Sequence, residues 1–320
     1  MRVRVLYHDH CFDGAASAAY FSRFLRESQH PAAEFAYTGM AHTAGQTFPE
    51  ELFDGELNAI VDFKYAPTPK LDWYFDHHQS AFLHPEDAEY FRKTAHPQHF
   101  LDPQYQSCTK YIRDIVSAKF GYNAPDLEEL VRWADKIDGA KYADAKEAVE
   151  YGSAATKLVL VIEASQGSGT VQRIIRDMQH QTLDEIIAQP DIQAIFQPLY
   201  ERHLRSVEAI QRHAVTEDGT IFFDLTGEDF EGYNKFIPYY LFPESTYVVS
   251  VSTSTYRTKV SVGSSPWVES IGHNLASICE RYGGGGHPRV GAISFPVGAV
   301  EEARQAAHEI VRELRGANHA

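Results

Sequence analysis

Cysteine is scarce in this chain: three in 320 residues, Cys11, Cys108 and Cys279, far apart and without a CxxC pair. That argues against a disulfide framework or a thiolate-only zinc site. Base is also short, with 29 Lys and Arg against 44 Asp and Glu, a formal charge of -15. Such a balance disfavours a protein that wraps long DNA or RNA through phosphate contacts. No uninterrupted apolar run reaches transmembrane length, and there is no internal repeat or low-complexity tract. The opening MRVRVLYHDHCFDG passes from strand-like alternation into a polar cluster, unlike a secretory leader. The expectation is a soluble cytoplasmic protein with no membrane partner.

What the chain does have is a hydrophobic fraction of 43% and 16 histidines. A chain of this length buries roughly 70–75% of its unfolded surface, so disorder is disfavoured. Val3–Tyr7, Ala33–Thr38, Asn58–Val61 and Leu71–Phe75 read as strands, with a small-residue helix from Ala15 to Glu27. Alternation of this kind predicts an α/β domain with a largely parallel sheet. Helical patterns follow over Ser107–Ile162, Val171–Ile187 and Tyr200–Thr216, the last two separated by a break at Pro190–Pro198. Beyond Asp218–Gly219 come strands at Thr220–Leu225, Tyr247–Thr253, Tyr256–Val262 and Val290–Val297, with helices at Val268–Tyr282 and Glu301–Arg315. The chain therefore divides into domains at 1–195 and 219–320, joined by a helical linker at 196–218.

Polar groups gather where the N-terminal strands end. His8, His10 and Asp13 follow the first strand, Asp62 follows Ala59–Val61, and Asp76, His77 and His78 follow Leu71–Phe75. In an open parallel sheet the carboxyl ends of strands share one edge, where ligands bind. Taken singly, Asp62 could cap a helix and Asp76 could orient an imidazole. Together, adjacent ionisable groups are costly to bury without partners, and imidazole plus carboxylate suits Mn, Fe or Zn, with two-metal hydrolysis in reach.

Asp76–His77–His78, followed by Gln79–Ser80, resembles the signature of the DHH phosphoesterase superfamily. His8–x–x–Cys11–x–Asp13–Gly14 resembles its first motif, Val61–Asp62 its second and Asp135, within Trp133–Gly139, its fourth. Gly283–Gly286 with His287 and Pro288 resembles the glycine-rich motif of the associated DHHA1 domain. The motifs keep the family order and span nearly the whole chain. The resemblance implies a DHH domain and a smaller α/β DHHA1 domain, with the active site in the cleft between them. It implies two divalent metal ions, by preference Mn2+, with Mg2+, Co2+ or Zn2+ as alternatives, held by His8, Asp13, Asp62, His77 and Asp135. Asp62 would bridge, Asp76 would serve the site, and His78 would face the scissile phosphate. Many relatives carry a second acid in the first motif, where this chain has Cys11 or its neighbour Phe12; Cys11 could ligate as a thiolate, which would favour zinc, or could simply be packed.

In the second domain Gly284, Gly285 and Gly286 could cradle a phosphate or simply form a turn. His287, Arg289 and Arg257 add positive character, and the resemblance assigns this loop the far end of the substrate. Expected substrates are short oligonucleotides, linear dinucleotides or other small phosphorylated compounds, cleaved by two-metal activation of water. The alternatives are an exopolyphosphatase, a nucleoside 3′,5′-bisphosphate phosphatase, or a non-catalytic nucleotide-sensing protein. A homodimer is what the resemblance suggests. Glu128–Glu129 and the aromatic stretch Tyr233–Phe242 read as structural, the first a solvated helix face, the second domain packing.

Overall fold

Val3, Val5, Leu6 and Tyr7 are all buried in β1 (Arg2–His8), which has a parallel neighbour on each side. A strand covered on both faces reads as a near-continuous apolar run rather than an alternating one. The computed structural model describes residues 1–43, 46–165, 169–229 and 232–316. The chain leaves β1 into α1 (Phe12–Ser28), whose Ala15, Ala16, Ala18, Ala19, Phe21 and Phe24 are buried. It returns through β2 (Glu34–Met40), β3 (Leu57–Val61), β4 (Trp73–Asp76), α2 (Pro85–Thr94) and β5 (His99–Leu101). The five strands form one parallel sheet in the order β2-β1-β3-β4-β5. Neither α2 nor β5 is legible in the sequence.

Strand order reverses between β1 and β3, and such a switch point opens a crevice at the carboxyl ends of the strands. Tyr7 pairs with Val61 and Val61 with Phe75. His8 and Asp76 thereby end their strands and Asp62 directly follows β3 between them, at a spacing of about 4.8 Å per strand. The β3–β4 connection contains no helix, as Pro67 and Pro69 require, yet its strands are parallel. Its own side chains anchor it: Phe63, Tyr65, Ala66 and Leu71 are buried, and Tyr65 N–H donates to Ala81 O at 2.8 Å.

The helices that follow are α3 (Cys108–Phe120), α4 (Glu128–Asp138), α5 (Ala145–Val149), α6 (Ala154–Ala164), α7 (Gly169–Asp177), α8 (Leu183–Ile187) and α9 (Pro190–His213). The chain forms two compact units, 1–142 with 152–199, and 143–151 with 200–320. The Pro190–Pro198 stretch, expected as a break, is helical. Pro190 opens α9, where a missing N–H costs nothing, and Pro198 lies inside it. Pro198 removes one helical hydrogen bond, and the division between the units falls just after it, between Leu199 and Tyr200.

The second unit contains β6 (Val215–Glu217), β7 (Thr220–Asp224), α10 (Ile237–Leu241), β8 (Tyr247–Thr253), β9 (Thr258–Ser264), α11 (Leu275–Glu280), β10 (Gly285–His287), β11 (Val290–Phe295) and α12 (Val300–Gly316). Its sheet runs β10-β11-β9-β8-β7-β6, with β7 and β8 parallel and the other pairs antiparallel. Val249, Val251, Val260, Val262 and Ile293 pack with Ala303, Ala307, Ile310 and Leu314 of α12. Ile221 and Phe223 pack instead with the aromatic stretch that includes Tyr233, Phe236 and Tyr239. The helix expected from Val268 is only α11, because the Arg289 guanidinium takes the carbonyls of Ser265, Val268 and Glu269. Among the described residues, no helix is long and apolar enough to cross a membrane.

Gly14 is required by close approach: a Cβ there would lie 2.1 Å from His8 O. Gly14→Ala should cost about 1–3 kcal/mol, read as a Tm lowered by several degrees. In the second unit, burial would raise the Asp224 carboxyl, but hydrogen bonds from Thr226 N–H and the Arg304 guanidinium hold it below its ordinary value. A depressed carboxylate stabilises above its unfolded pKa and loses that contribution as pH falls through its folded one. The stability advantage of wild type over Arg304→Met should therefore be present at neutral pH and shrink below the ordinary aspartate range, as followed by urea unfolding.

Candidate metal centre

Asp62 closes β3 with φ 58, a left-handed backbone that bulky residues avoid and Asp tolerates. Its carboxylate, 1% exposed, turns Oδ2 to within 3.4 Å of His8 Nδ1 and Oδ1 to within 3.2 Å of His77 Nε2. These approaches do not have hydrogen-bond angles: His8 Nδ1, both Asp62 oxygens and His77 Nε2 are buried without a hydrogen-bond partner. Orphaned groups of that kind are expensive. Asp13 Oδ2 and Asp138 Oδ2 complete the surroundings of His77 Nε2 at 3.8 and 3.6 Å.

Each group is held from behind. Asp13, at the start of α1, accepts from Cys108 N–H at 2.6 Å, Thr109 N–H at 3.0 Å and Thr109 Oγ1 at 2.6 Å, all from the start of α3. Ser107 caps that helix by accepting from Lys110 N–H. His77 Nδ1 lies 3.1 Å from Tyr105 O, a contact that only a protonated Nδ1 can make. The free face of the ring is then Nε2, the atom turned to the three carboxylates, as in a metal-ligating histidine with its carbonyl partner. Asp76, fully buried, accepts from His77 N–H and Tyr74 Oη, and its Oδ1 lies 2.7 Å from His78 Nδ1. It orients His78, leaving that ring's Nε2 for other work.

Without a counter-ion the cluster is electrostatically unfavourable. Burial, Asp62 and Asp138 push the Asp13 carboxyl up, and burial with Asp62 does the same to Asp138. Burial would raise Asp62 too, but His77 and His8 draw it down. Burial would lower the two adjacent imidazoles, yet the carboxylates raise His77 to about 10 and Asp76 raises His78. Cys11 joins His8 and Asp62 within 4.8 Å, its thiol pushed well up by burial and then by the carboxylates. A divalent cation fits this donor set: orphaned imidazole and carboxylate atoms converge, their outer partners fixed.

No known family profile matches the chain, and no curated protein matches it in sequence. Solved structures do. A pGpG-specific phosphodiesterase, PggH from Vibrio cholerae, superimposes with a TM-score of 0.71 at 19% identity, over 98% of this chain and 100% of that one. RecJ from Thermus thermophilus, in complex with Mn2+, gives 0.51 at 16% identity, over 98% of this chain and 52% of RecJ. The chain has the fold of the PggH phosphodiesterase over nearly the whole length of both chains.

Within that fold the structure brings together His8, Cys11, Asp13, Asp62, His77 and His78, with Asp76 behind them. It does not bring in Asp135. That carboxylate turns to Lys110, Lys141 and Ser107 at 3.8, 3.4 and 3.5 Å. Asp138, at the end of α4, takes the place by His77. The two aspartates lie three residues apart on one helix, near enough in phase for sequence reading to take either. The glycine run is partly strand: Gly286 of β10 pairs with Gly291 of β11, and a Cβ at Gly284 would meet Ala292 O at 2.3 Å. Arg289 spends its donors on carbonyls of its own unit. Arg257, bonded to Ser294 Oγ, precedes the far end of β9 from Gly263, about 20 Å away along the strand. It therefore stands apart from His287, which is exposed, and from the half-buried Arg289.

Asp138→Asn should weaken Mn2+ binding more than about tenfold, the loss typical of a disturbed metal site. Asp135→Asn should weaken it much less. Calorimetric titration of both variants checks the assignment, and the reverse order would return the ligand role to Asp135.

Proposed function

We infer that this protein is a divalent-metal-dependent phosphoesterase acting on short oligonucleotides or linear dinucleotides. The observation that carries the reading is the set of buried, orphaned ligand atoms on His8, Asp62 and His77 at the switch point of the sheet. The fold shared with a pGpG-specific phosphodiesterase over the whole of both chains supports the substrate class. The metal would be held by His8, Asp13, Asp62, His77 and Asp138, with Cys11 beside His8. When bound, such cations neutralise phosphoryl charge and activate water. Manganese agrees with the oxygen and imidazole donors and with the ion in the RecJ complex.

The chain's own residues supply the rest. Asp62 presents one oxygen to the His8 side and the other to the His77 side, so it would be the residue to hold a second ion if two are bound. Asp13 keeps its position through the start of α3. His78 holds its Nδ1 proton against Asp76, which leaves Nε2 to carry a proton to the departing oxygen. The interactions with Asp76 and Asp62 favour the charged ring needed for that transfer.

The test is hydrolysis in Mn2+ of pGpG, pApA, longer oligoribonucleotides, pAp, cyclic di-AMP and polyphosphate. Linear dinucleotides should be turned over fastest, and EDTA should abolish the activity. Asp62→Asn and His77→Ala should each lower kcat at least about 100-fold and weaken metal binding. His78→Ala should lower kcat by about 10²–10⁴ while metal affinity holds. Absence of metal-dependent turnover of any compound would overturn the enzyme reading, and preference for polyphosphate would overturn the substrate class.

A further inference from the structure

A protein of net charge -15 that handles phosphates needs local positive charge. Beside the metal centre two ammonium groups share one carboxylate. Lys110 Nζ of α3 and Lys141 Nζ, just past α4, approach Asp135 Oδ2 at 3.8 and 3.4 Å. The other oxygen, Oδ1, accepts from Ser107 Oγ at 3.5 Å. One carboxylate is thus shared between two ammonium groups, each of which has three N–H donors and so keeps some for a further anion. Both lysine side chains keep their heads at the surface, 39% and 50% exposed.

The chain spends conformational energy to place the second lysine. Ala140 takes a left-handed backbone, φ 49, in a position where glycine is usual. This turn sends Lys141 N–H back to Lys136 O at 2.8 Å and folds its side chain over the end of α4. Lys141 Cε and Gln106 Oε1 lie so near Gly139 that a Cβ there would meet them at 3.2 and 3.0 Å. Gly139 follows Asp138, and Gln106 follows Tyr105, whose carbonyl fixes His77. A cation at a helix C-terminus is favourable in itself, which accounts for Lys141 but not for Lys110, from another helix, on the same carboxylate.

We propose that Lys110 and Lys141, gathered over Asp135 beside the metal centre, form a subsite for a phosphate of the substrate other than the one that is cleaved. Asp135 is then a positioning residue, holding the two ammonium groups together until the anion arrives. The proposal rests on the phosphoesterase reading, and it names the chemistry that would make a 5′-phosphorylated dinucleotide a better substrate than its unphosphorylated counterpart.

The experiment compares pApA with ApA in Mn2+ for wild type, Lys110→Met/Lys141→Met and Lys110→Arg/Lys141→Arg, with metal affinity measured by calorimetry. The methionine variant should raise KM for pApA about tenfold or more, the scale of a lost charge-assisted contact. Its kcat should stay within about twofold, as for an interaction made equally in ground and transition states. ApA kinetics and Mn2+ affinity should hardly move, and the arginine variant should keep most of the preference for pApA. An equal rise in KM for both substrates, or no rise for pApA, would overturn the subsite. Should wild type cleave neither compound, the hydrolase reading falls and the subsite is judged by binding. Weaker pApA binding by the methionine variant than by wild type would then support it, and equal binding would overturn it.

Discussion

Like charges buried together govern this structure. Asp13, Asp62 and Asp138 turn oxygens toward a single imidazole nitrogen, two of them fully out of water. Carboxylates in that state are tolerated only against cations or many donors. The parallel sheet brings the groups to one edge, and the start of α3 clamps one of them. The Tyr105 carbonyl decides which nitrogen of His77 is free. Much of the remaining architecture of the first unit can be understood as the support of this one unfavourable collection.

The strand-end groups are legible in the sequence because locating the end of a strand takes little geometry. A short apolar run followed by Asp or His places that residue at the carboxyl edge of a parallel sheet, whatever the details of the connections. His8, Asp62, Asp76 and His77 are found there for that reason. Helical residues were harder. Asp135 and Asp138 lie on one helix, and only the packing of α4 shows which carboxylate meets His77. The second unit is the least legible in the sequence. The Arg289 guanidinium donates to the carbonyls of Ser265, Val268 and Glu269, a use that no local pattern reveals. Proline misled in α9, where it begins the helix at 190 and is accommodated at 198.

The histidines divide in a similar way. His8, His77 and His78 face the carboxylates, whereas His99 gives its Nε2–H to Leu71 O and lies among Tyr65, Tyr74 and Phe91. Burial and nearby His96 bring its pKa down to about 4, which keeps it an uncharged part of the packing. Number alone did not separate the two kinds. Distance from a strand's carboxyl end did.

The backbone at Asp62 has a consequence for how this position can vary. A left-handed residue at the end of β3 is best supplied by Gly, Asn or Asp. The proposed metal site asks for a charged oxygen donor at the same point, which only Asp or Glu supplies. The two sets overlap in one amino acid. Glutamate would keep the donor and strain the turn, while asparagine would keep the turn and lose the charge. Aspartate at 62 thus meets both the demand of the backbone and that of the proposed metal site.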